Sequence, residues 1–232
     1  FVSPGLMNNL PVSLILPELK QTFAEQHSLV LQAPPGAGKT TLVPLALLEC
    51  DWLAGQKIIM LEPRRLAARA AAERLAELLG EPVGQTVGYR IRLDSKVSAA
   101  TRIEVVTEGI LQRLLQDDPE LPGVGVVIFD EFHERSLDAD LGLALCVQTQ
   151  QYLRDDPPLR LLVMSATLDA EGVSRLLDDA PIITSQGRQY PVDIRYGAPA
   201  TLGRPNDAEV VQTVLRALDE ESGSVLVFLP GM

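Results

Sequence analysis

A loop that could cradle phosphates lies near the start of the chain, where the segment Ala33–Thr40 reads Ala-Pro-Pro-Gly-Ala-Gly-Lys-Thr. Loops of the pattern G-x-x-x-x-G-K-[ST] bind nucleotide phosphates through backbone N–H groups and the N-terminus of the following helix. Alanine replaces the first glycine here, but the two remaining glycines keep the backbone free to turn. We expect Lys39 to act catalytically on the β- and γ-phosphates and the Thr40 hydroxyl to bind Mg²⁺. The predicted nucleotide contacts of the loop are Pro35, Gly36, Ala37, Gly38, Lys39, Thr40 and Thr41. The alternative is an ordinary Gly/Pro turn that precedes Lys-Thr.

Two acidic residues, Asp130 and Glu131, directly follow the apolar run Val124–Phe129. In parallel α/β sheets ligands bind at the carboxyl ends of the strands. We expect both carboxylates to belong to a Mg²⁺ site, with Asp130 as the metal ligand and Glu131 as the group that orients and deprotonates an attacking water. His133 lies two residues further on and is assigned to the same catalytic set. The alternative is a surface acidic pair beside a solvated histidine.

Two hydroxyl residues, Ser165 and Thr167, lie at the end of the apolar run Leu159–Met164. Hydroxyls at a strand end can bridge to His133 or to a water, which would couple this strand to the acidic pair. A Ser/Thr turn or a helix N-cap explains the same residues equally well.

Apolar runs alternate with helical patterns along most of the chain, which predicts an α/β fold with a mostly parallel sheet covered by helices on both faces. The run Val124–Phe129 is continuously apolar, as in a strand buried on both faces. Further strands are predicted over Ser28–Ala33, Lys57–Leu61, Arg102–Val106, Leu159–Met164 and Pro181–Thr184, and helices over Leu10–Phe23, Thr40–Cys50, Leu66–Leu79, Ile110–Gln116 and Leu137–Gln151.

The predicted organisation has three parts. Residues 1–9 are expected to be a tag remnant and tail, and residues 10–185 form the α/β domain. Residues 186–232 begin with a segment rich in Gly, Pro and polar residues, typical of a linker. A helix over Ala208–Leu218 and a strand over Ser224–Leu229 follow, and one such unit cannot bury its apolar face alone. We therefore expect 186–232 to be the linker and truncated start of a second domain.

Composition narrows the class of protein. Of the 232 residues, 46% are hydrophobic and two are cysteines, which excludes a disulfide scaffold and fits a reducing cytosol. No window predicts a membrane span. The net charge of −11 excludes a globally basic nucleic-acid binder. Residues 57–113 nevertheless carry 10 basic and 7 acidic groups, a local excess that a nucleic-acid track would need.

Five motifs in order resemble the superfamily 2 helicases of the DEAH-box type: the loop Ala33–Thr40, then P-R-R, T-E-G, the box Asp130–Arg135 and S-A-T. Phe132 makes the box DEFH rather than DEAH, which resembles a bacterial branch of this type. The resemblance implies two RecA-like P-loop NTPase domains with ATP between them and RNA across the top. The implied nucleic-acid contacts are Arg64, Arg65, Thr107, Glu108 and Gly109, and the implied G-Y-x-x-R turn contains Tyr89, Arg90 and Arg92.

The function implied by this resemblance is an ATP- and Mg²⁺-dependent, cytoplasmic helicase that translocates on or unwinds RNA, with DNA as a possible substrate and no membrane partner. Arg74 either stacks on adenine or is an exposed helix charge. The second-domain motifs that carry the arginine finger are absent, so this segment is expected to bind nucleotide but to be catalytically incomplete. Two alternatives remain open: a P-loop kinase, and a nucleotide-gated interaction module that uses the acidic face formed by residues 114–185.

Overall fold

The computed structural model describes residues 10–166, 170–186, 192–197 and 207–229. The chain divides into two compact units, Phe1–Arg188 and Gln189–Met232. Among the described residues, no helix combines the length and the apolar character needed to cross a bilayer.

The first unit is built on an eight-stranded sheet with the order β4-β3-β5-β2-β6-β7-β1-β8. All neighbours pair in parallel except β3 and β4, which are antiparallel. The strands are β1 (Ser28–Gln32), β2 (Lys57–Leu61), β3 (Val87–Ile91), β4 (Asp94–Lys96), β5 (Ile103–Val106), β6 (Val124–Phe129), β7 (Arg160–Ser165) and β8 (Ile182–Thr184). The predicted mostly parallel sheet is confirmed.

Helices connect the parallel strands. In this unit they are α1 (Leu16–Glu25), α2 (Lys39–Leu48), α3 (Arg65–Leu79), α4 (Glu108–Asp117), α5 (Leu137–Gln148) and α6 (Ala170–Leu176). A 3-10 turn, Pro11–Ile15, precedes α1, and a π-helical turn, Thr149–Leu153, extends α5. The helix predicted to run to Gln151 therefore ends as an α-helix three residues earlier.

The sheet has a hydrophobic core on each face because alternate side chains of a strand point to opposite sides. In β2, Ile58 and Met60 belong to one core cluster, and Ile59 and Leu61 belong to the other. The first cluster includes residues of α1, α2 and α3, and the second includes residues of α4, α5 and α6. This two-sided burial explains why the central strands read as continuous apolar runs.

The hairpin formed by β3 and β4 corrects the turn expected at Tyr89, Arg90 and Arg92. Tyr89 is fully buried in β3, and its hydroxyl donates to Asp94 at 2.9 Å. Arg90 continues the strand and pairs with Glu104 of β5. The strand is not visible in the sequence because Gly88 and Arg90 interrupt its apolar pattern. Its stability also depends on pairing with β5, which is distant in the sequence.

The second unit contains the helix α7 (Asp207–Glu220), close to the predicted helix. The strand predicted over Ser224–Leu229 is wrong, because that segment forms no ladder. A strand requires hydrogen-bonded neighbours, and the described part of this unit offers none. The side chains of Leu226 and Phe228 are accordingly 78% and 86% exposed.

Candidate functional site

The predicted site residues converge at the carboxyl edge of the sheet. The phosphate loop follows β1 and the acidic pair follows β6, and β7 lies between these two strands. Parallel strands end at the same edge, so the sheet brings together residues that are 90 positions apart in the chain.

The phosphate loop has the geometry of an anion site. Gly36 and Gly38 adopt φ angles of +76° and +89°, which residues other than glycine rarely adopt. Gly38 caps α2, and a Cβ on it would lie 2.7 Å from the Leu10 side chain. Within the described residues, the N–H groups of Gly36, Gly38, Lys39 and Thr40 have no hydrogen-bond acceptor. Such free donors at a helix N-terminus favour bound phosphate.

The two predicted metal ligands, Thr40 and Asp130, are in direct contact. The Thr40 hydroxyl donates to the Asp130 carboxylate, and the Glu131 N–H donates to its other oxygen at 2.8 Å. Asp130 is buried, and burial raises the pKa of its carboxyl while the Thr40 hydrogen bond and Lys39 oppose this shift. Adjacent hydroxyl and carboxylate oxygens fit Mg²⁺, which takes one or two protein oxygens together with phosphates and water.

Lys39, Glu131 and His133 form a continuous polar chain. The buried Lys39 ammonium lies 3.0 Å from Glu131 Oε1, and His133 Nε2 lies 3.3 Å from Glu131 Oε2. His133 Nδ1 accepts the Ala166 N–H at 3.2 Å. The predicted link from the acidic box to the end of β7 thus runs through a backbone amide. The Ser165 side chain is buried and its carbonyl accepts the Ala33 N–H, whereas Thr167 lies outside the described residues.

The turn after β6 is held by an aromatic anchor. Glu131 and Arg135 both have positive φ, of 50° and 45°, which costs energy for residues with side chains. Between them Phe132 is 3% exposed and packs edge-on against Phe129, with ring centroids 6.1 Å apart. The Arg135 guanidinium lies over the Phe132 ring at 5.4 Å. Phe132 therefore fixes the turn that presents the Glu131 carboxylate.

A second buried carboxyl, Glu62, was missed in the sequence. Leu61 of β2 pairs with Phe129 of β6, so Glu62 and Asp130 occupy neighbouring strand ends. Burial, the negative charge of Asp130 and a side-chain hydrogen bond with Asp130 raise the pKa of Glu62 to about 9, against the lowering effect of Lys39. An acidic residue directly after a buried apolar strand was the available signal, and it is the same signal that identified Asp130.

The two arginines of P-R-R reach different elements. Arg64 Nη2 lies 2.7 Å from Glu134 Oε1, and both side chains are exposed. Arg65 donates to the Arg92 carbonyl in the β3–β4 turn at 3.2 Å. Both cations lie at the N-terminus of α3, on the same edge of the sheet as the phosphate loop.

The T-E-G residues lie where α4 begins. Thr107 is the N-cap of α4 in an extended conformation, and Gly109 is exposed in its first turn. The Glu108 carboxylate accepts the Ser136 hydroxyl, which also caps α5. Glu108 thus joins two helices. Arg74 is exposed on α3 and pairs with Glu77. This arrangement is the exposed helix charge that the sequence left open as the alternative to adenine stacking.

A phosphate loop at the end of one strand and paired carboxylates at the end of another, on a mostly parallel sheet, define the class of P-loop NTPase domains. Residues 15–176 match the family model "DEAD/DEAH box helicase". The chain belongs to the DEAD/DEAH box helicase family.

Known relatives agree with this assignment. The chain is 54% identical over 226 residues to the ATP-dependent RNA helicase HrpB of Escherichia coli, a match that covers 97% of this chain and 27% of that protein. It is 39% identical over 223 residues to the pre-mRNA-splicing factor ATP-dependent RNA helicase prp22 of Schizosaccharomyces pombe, covering 96% of this chain and 19% of that protein. The resemblance to the DEAH-box type is confirmed.

The fold agrees with a solved structure. The crystal structure of E. coli DEAH/RHA helicase HrpB superposes with a TM-score of 0.88 at 53% identity, covering 97% of this chain and 28% of that one. The bacterial branch that the DEFH box indicated is therefore the HrpB branch. The chain spans about a quarter of the length of this relative.

Proposed function

We propose that this chain is the ATP-binding part of an ATP-dependent RNA helicase, and that its phosphate loop and acidic box bind ATP with Mg²⁺ and align it for hydrolysis. The observation that supports this most is the contact between Lys39 and Glu131. It unites the loop that would hold the γ-phosphate with the carboxylate that would activate a water.

Lys39 would exchange Glu131 for the β- and γ-phosphates when ATP binds, because phosphate oxygens are the stronger partners of a buried ammonium. Glu131, freed from Lys39, would accept a proton from the attacking water. His133 would keep the Glu131 carboxylate oriented through its Nε2–H. Thr40 and Asp130 would hold Mg²⁺, which supplies charge neutralisation on the phosphates.

The link between His133 and the Ala166 N–H would connect nucleotide chemistry to the end of β7. We propose that this connection, with Ser165 and Thr167, couples hydrolysis to movement on nucleic acid. Arg64 and Arg65, with Thr107, Glu108 and Gly109 at the start of α4, would form the RNA track. Backbone contacts of this kind give affinity without reading sequence.

The named relatives are RNA helicases, which supports RNA rather than DNA as the substrate. Because the chain spans 27% of its HrpB relative, we propose that strand separation belongs to a longer assembly that includes a second RecA-like domain. We also propose that the boundary between the two domains lies near residue 186 and that the protein is cytoplasmic.

The test is titration of the chain with a fluorescent ATP analogue, first with Mg²⁺ and then with EDTA. We expect saturable binding that weakens when Mg²⁺ is removed. Phosphate release is then measured with and without single-stranded RNA, beside an assay for phosphate transfer to small acceptors. A folded chain that binds no nucleotide would refute the proposal, and transfer to an acceptor would favour the kinase.

A further inference from the structure

One ion pair connects the P-R-R element to the acidic box. Arg64 lies at the N-cap of α3, and Glu134 belongs to the short 3-10 turn that follows Glu131. The Glu134 N–H donates to the Glu131 carbonyl at 2.9 Å, so the partner of Arg64 is fixed to the box. A cation at a helix N-terminus opposes the helix dipole, and a carboxylate beside it relieves this cost.

The Arg64–Glu134 pair is exposed and therefore exchangeable. The two side chains are 69% and 38% exposed, and exposed ion pairs contribute little to stability. A nucleic-acid phosphate offers Arg64 a bidentate partner of at least equal strength. When Arg64 binds that phosphate, the Glu134 carboxylate loses its partner and repels the phosphate. The carboxylate and the phosphate therefore compete for one guanidinium.

We propose that Glu134 is a positioning residue of the nucleic-acid track: it holds Arg64 while the track is empty and gives it up to a backbone phosphate of single-stranded RNA. This inference rests on the proposed function, because it takes Arg64 as a phosphate contact. It adds a residue that sets RNA affinity without touching RNA, located three positions from the proposed water-activating Glu131.

The proposal makes a specific statement about salt. Each phosphate neutralised on a single strand contributes about 0.7 to the slope of log affinity against log salt. Arg64 together with Glu134 carries no net charge, so this contact adds little to the slope in the parent chain. Removing the Glu134 charge restores a full cation, and the slope should then steepen by up to about 0.7.

The experiment measures binding of fluorescein-labelled oligouridine to the 232-residue chain at several low salt concentrations. Glu134→Gln should raise affinity by up to about fivefold, the factor that corresponds to an exposed ion pair, and steepen the salt slope. Arg64→Ala should weaken binding. In the double variant the gain from Glu134→Gln should disappear, because the cation that it frees is absent.

Glu49→Gln is the matched control, because Glu49 also forms an exposed ion pair, with Lys20, at the far end of α2. It should leave affinity and slope unchanged, since distant charges are screened beyond about 10 Å. If Glu134→Gln unfolds the chain on thermal denaturation, Glu134→Ala provides the same charge change in a second context.

The outcomes separate the two proposals. If Arg64→Ala leaves RNA binding intact, Arg64 does not belong to the RNA track, and the role proposed for Glu134 is wrong as well. If Arg64→Ala weakens RNA binding but Glu134→Gln neither tightens it nor steepens the salt slope, Arg64 contacts RNA and Glu134 does not regulate that contact. A gain that persists in the double variant would likewise overturn the exchange.

Discussion

The Lys39 ammonium lies 3.0 Å from the Glu131 carboxylate, so the cation proposed to bind phosphate is paired with the proposed catalytic base. Lys39 is 3% exposed, and a buried cation without a partner would be costly. The pair therefore stabilises this buried charge, and in the proposed function bound nucleotide would replace Glu131 as the partner of Lys39.

Replacing Lys39 by alanine tests the phosphate loop. Lys39→Ala should weaken binding of a fluorescent ATP analogue by about 10- to 100-fold, the usual weight of a hydrogen bond to a charged group. Lys20→Ala, which removes a half-buried lysine from α1, is the control and should bind as the parent does. Equal affinity of the Lys39 variant and the parent would show that the loop does not hold phosphate.

Replacing Glu131 by glutamine separates binding from chemistry. In the full-length protein, Glu131→Gln should lower turnover by about 10²–10⁴-fold, because it removes a positioned base. Affinity for ATP should persist or rise, since Lys39 loses its competing carboxylate. Glu25→Gln, which changes an exposed carboxylate at the end of α1, is the control. Steady-state phosphate release at the parental rate in the Glu131 variant would exclude it as the base.

The raised pKa of Glu62, about 9, makes stability depend on pH. Because the folded state holds this proton more tightly than the unfolded chain, its contribution is complete below the ordinary pKa near 4.5 and is lost as pH rises toward 9. Glu62→Gln keeps a neutral side chain at every pH, so it should remove most of this loss.

The measurement is urea unfolding of both proteins at several pH values between about 5 and 9. The parent should lose free energy of unfolding with rising pH more steeply than Glu62→Gln does. Parallel curves for the two proteins would show that Glu62 does not titrate in this range. Glu18→Gln, which changes an exposed carboxylate on α1, is a suitable control.

Removing the Phe132 ring tests the anchor of the acidic turn. Phe132→Ala should lower the free energy of unfolding by about 3–5 kcal/mol, as buried phenylalanine truncations do. Phe132→Leu retains most of the apolar contact with Phe129 and should cost about 1–2 kcal/mol. Chemical denaturation provides both values, and a loss below about 1 kcal/mol for the alanine variant would contradict the anchoring role.

Contiguous patterns in the sequence were sufficient to predict the elements that carry the site. The apolar runs of β2 and β6 have the predicted bounds because a strand buried on both faces is apolar at every position. The phosphate loop and the acidic pair were recognisable because their chemistry depends on neighbouring residues and their spacing. The order of the five motifs was enough to indicate the family.

Only the tertiary structure decided which distant residues meet. Glu62 reaches Asp130 because β2 and β6 are neighbours in the sheet, and Arg64 reaches Glu134 because α3 and the acidic turn share one edge. Strand β3 forms because β5 pairs with it. The segment Ser224–Leu229 has an equally strand-like sequence but has no pairing strand among the described residues, and it forms no ladder. The physical reason is the same throughout: strand pairing and ion pairing are interactions between segments, and a local pattern specifies one segment without its partner.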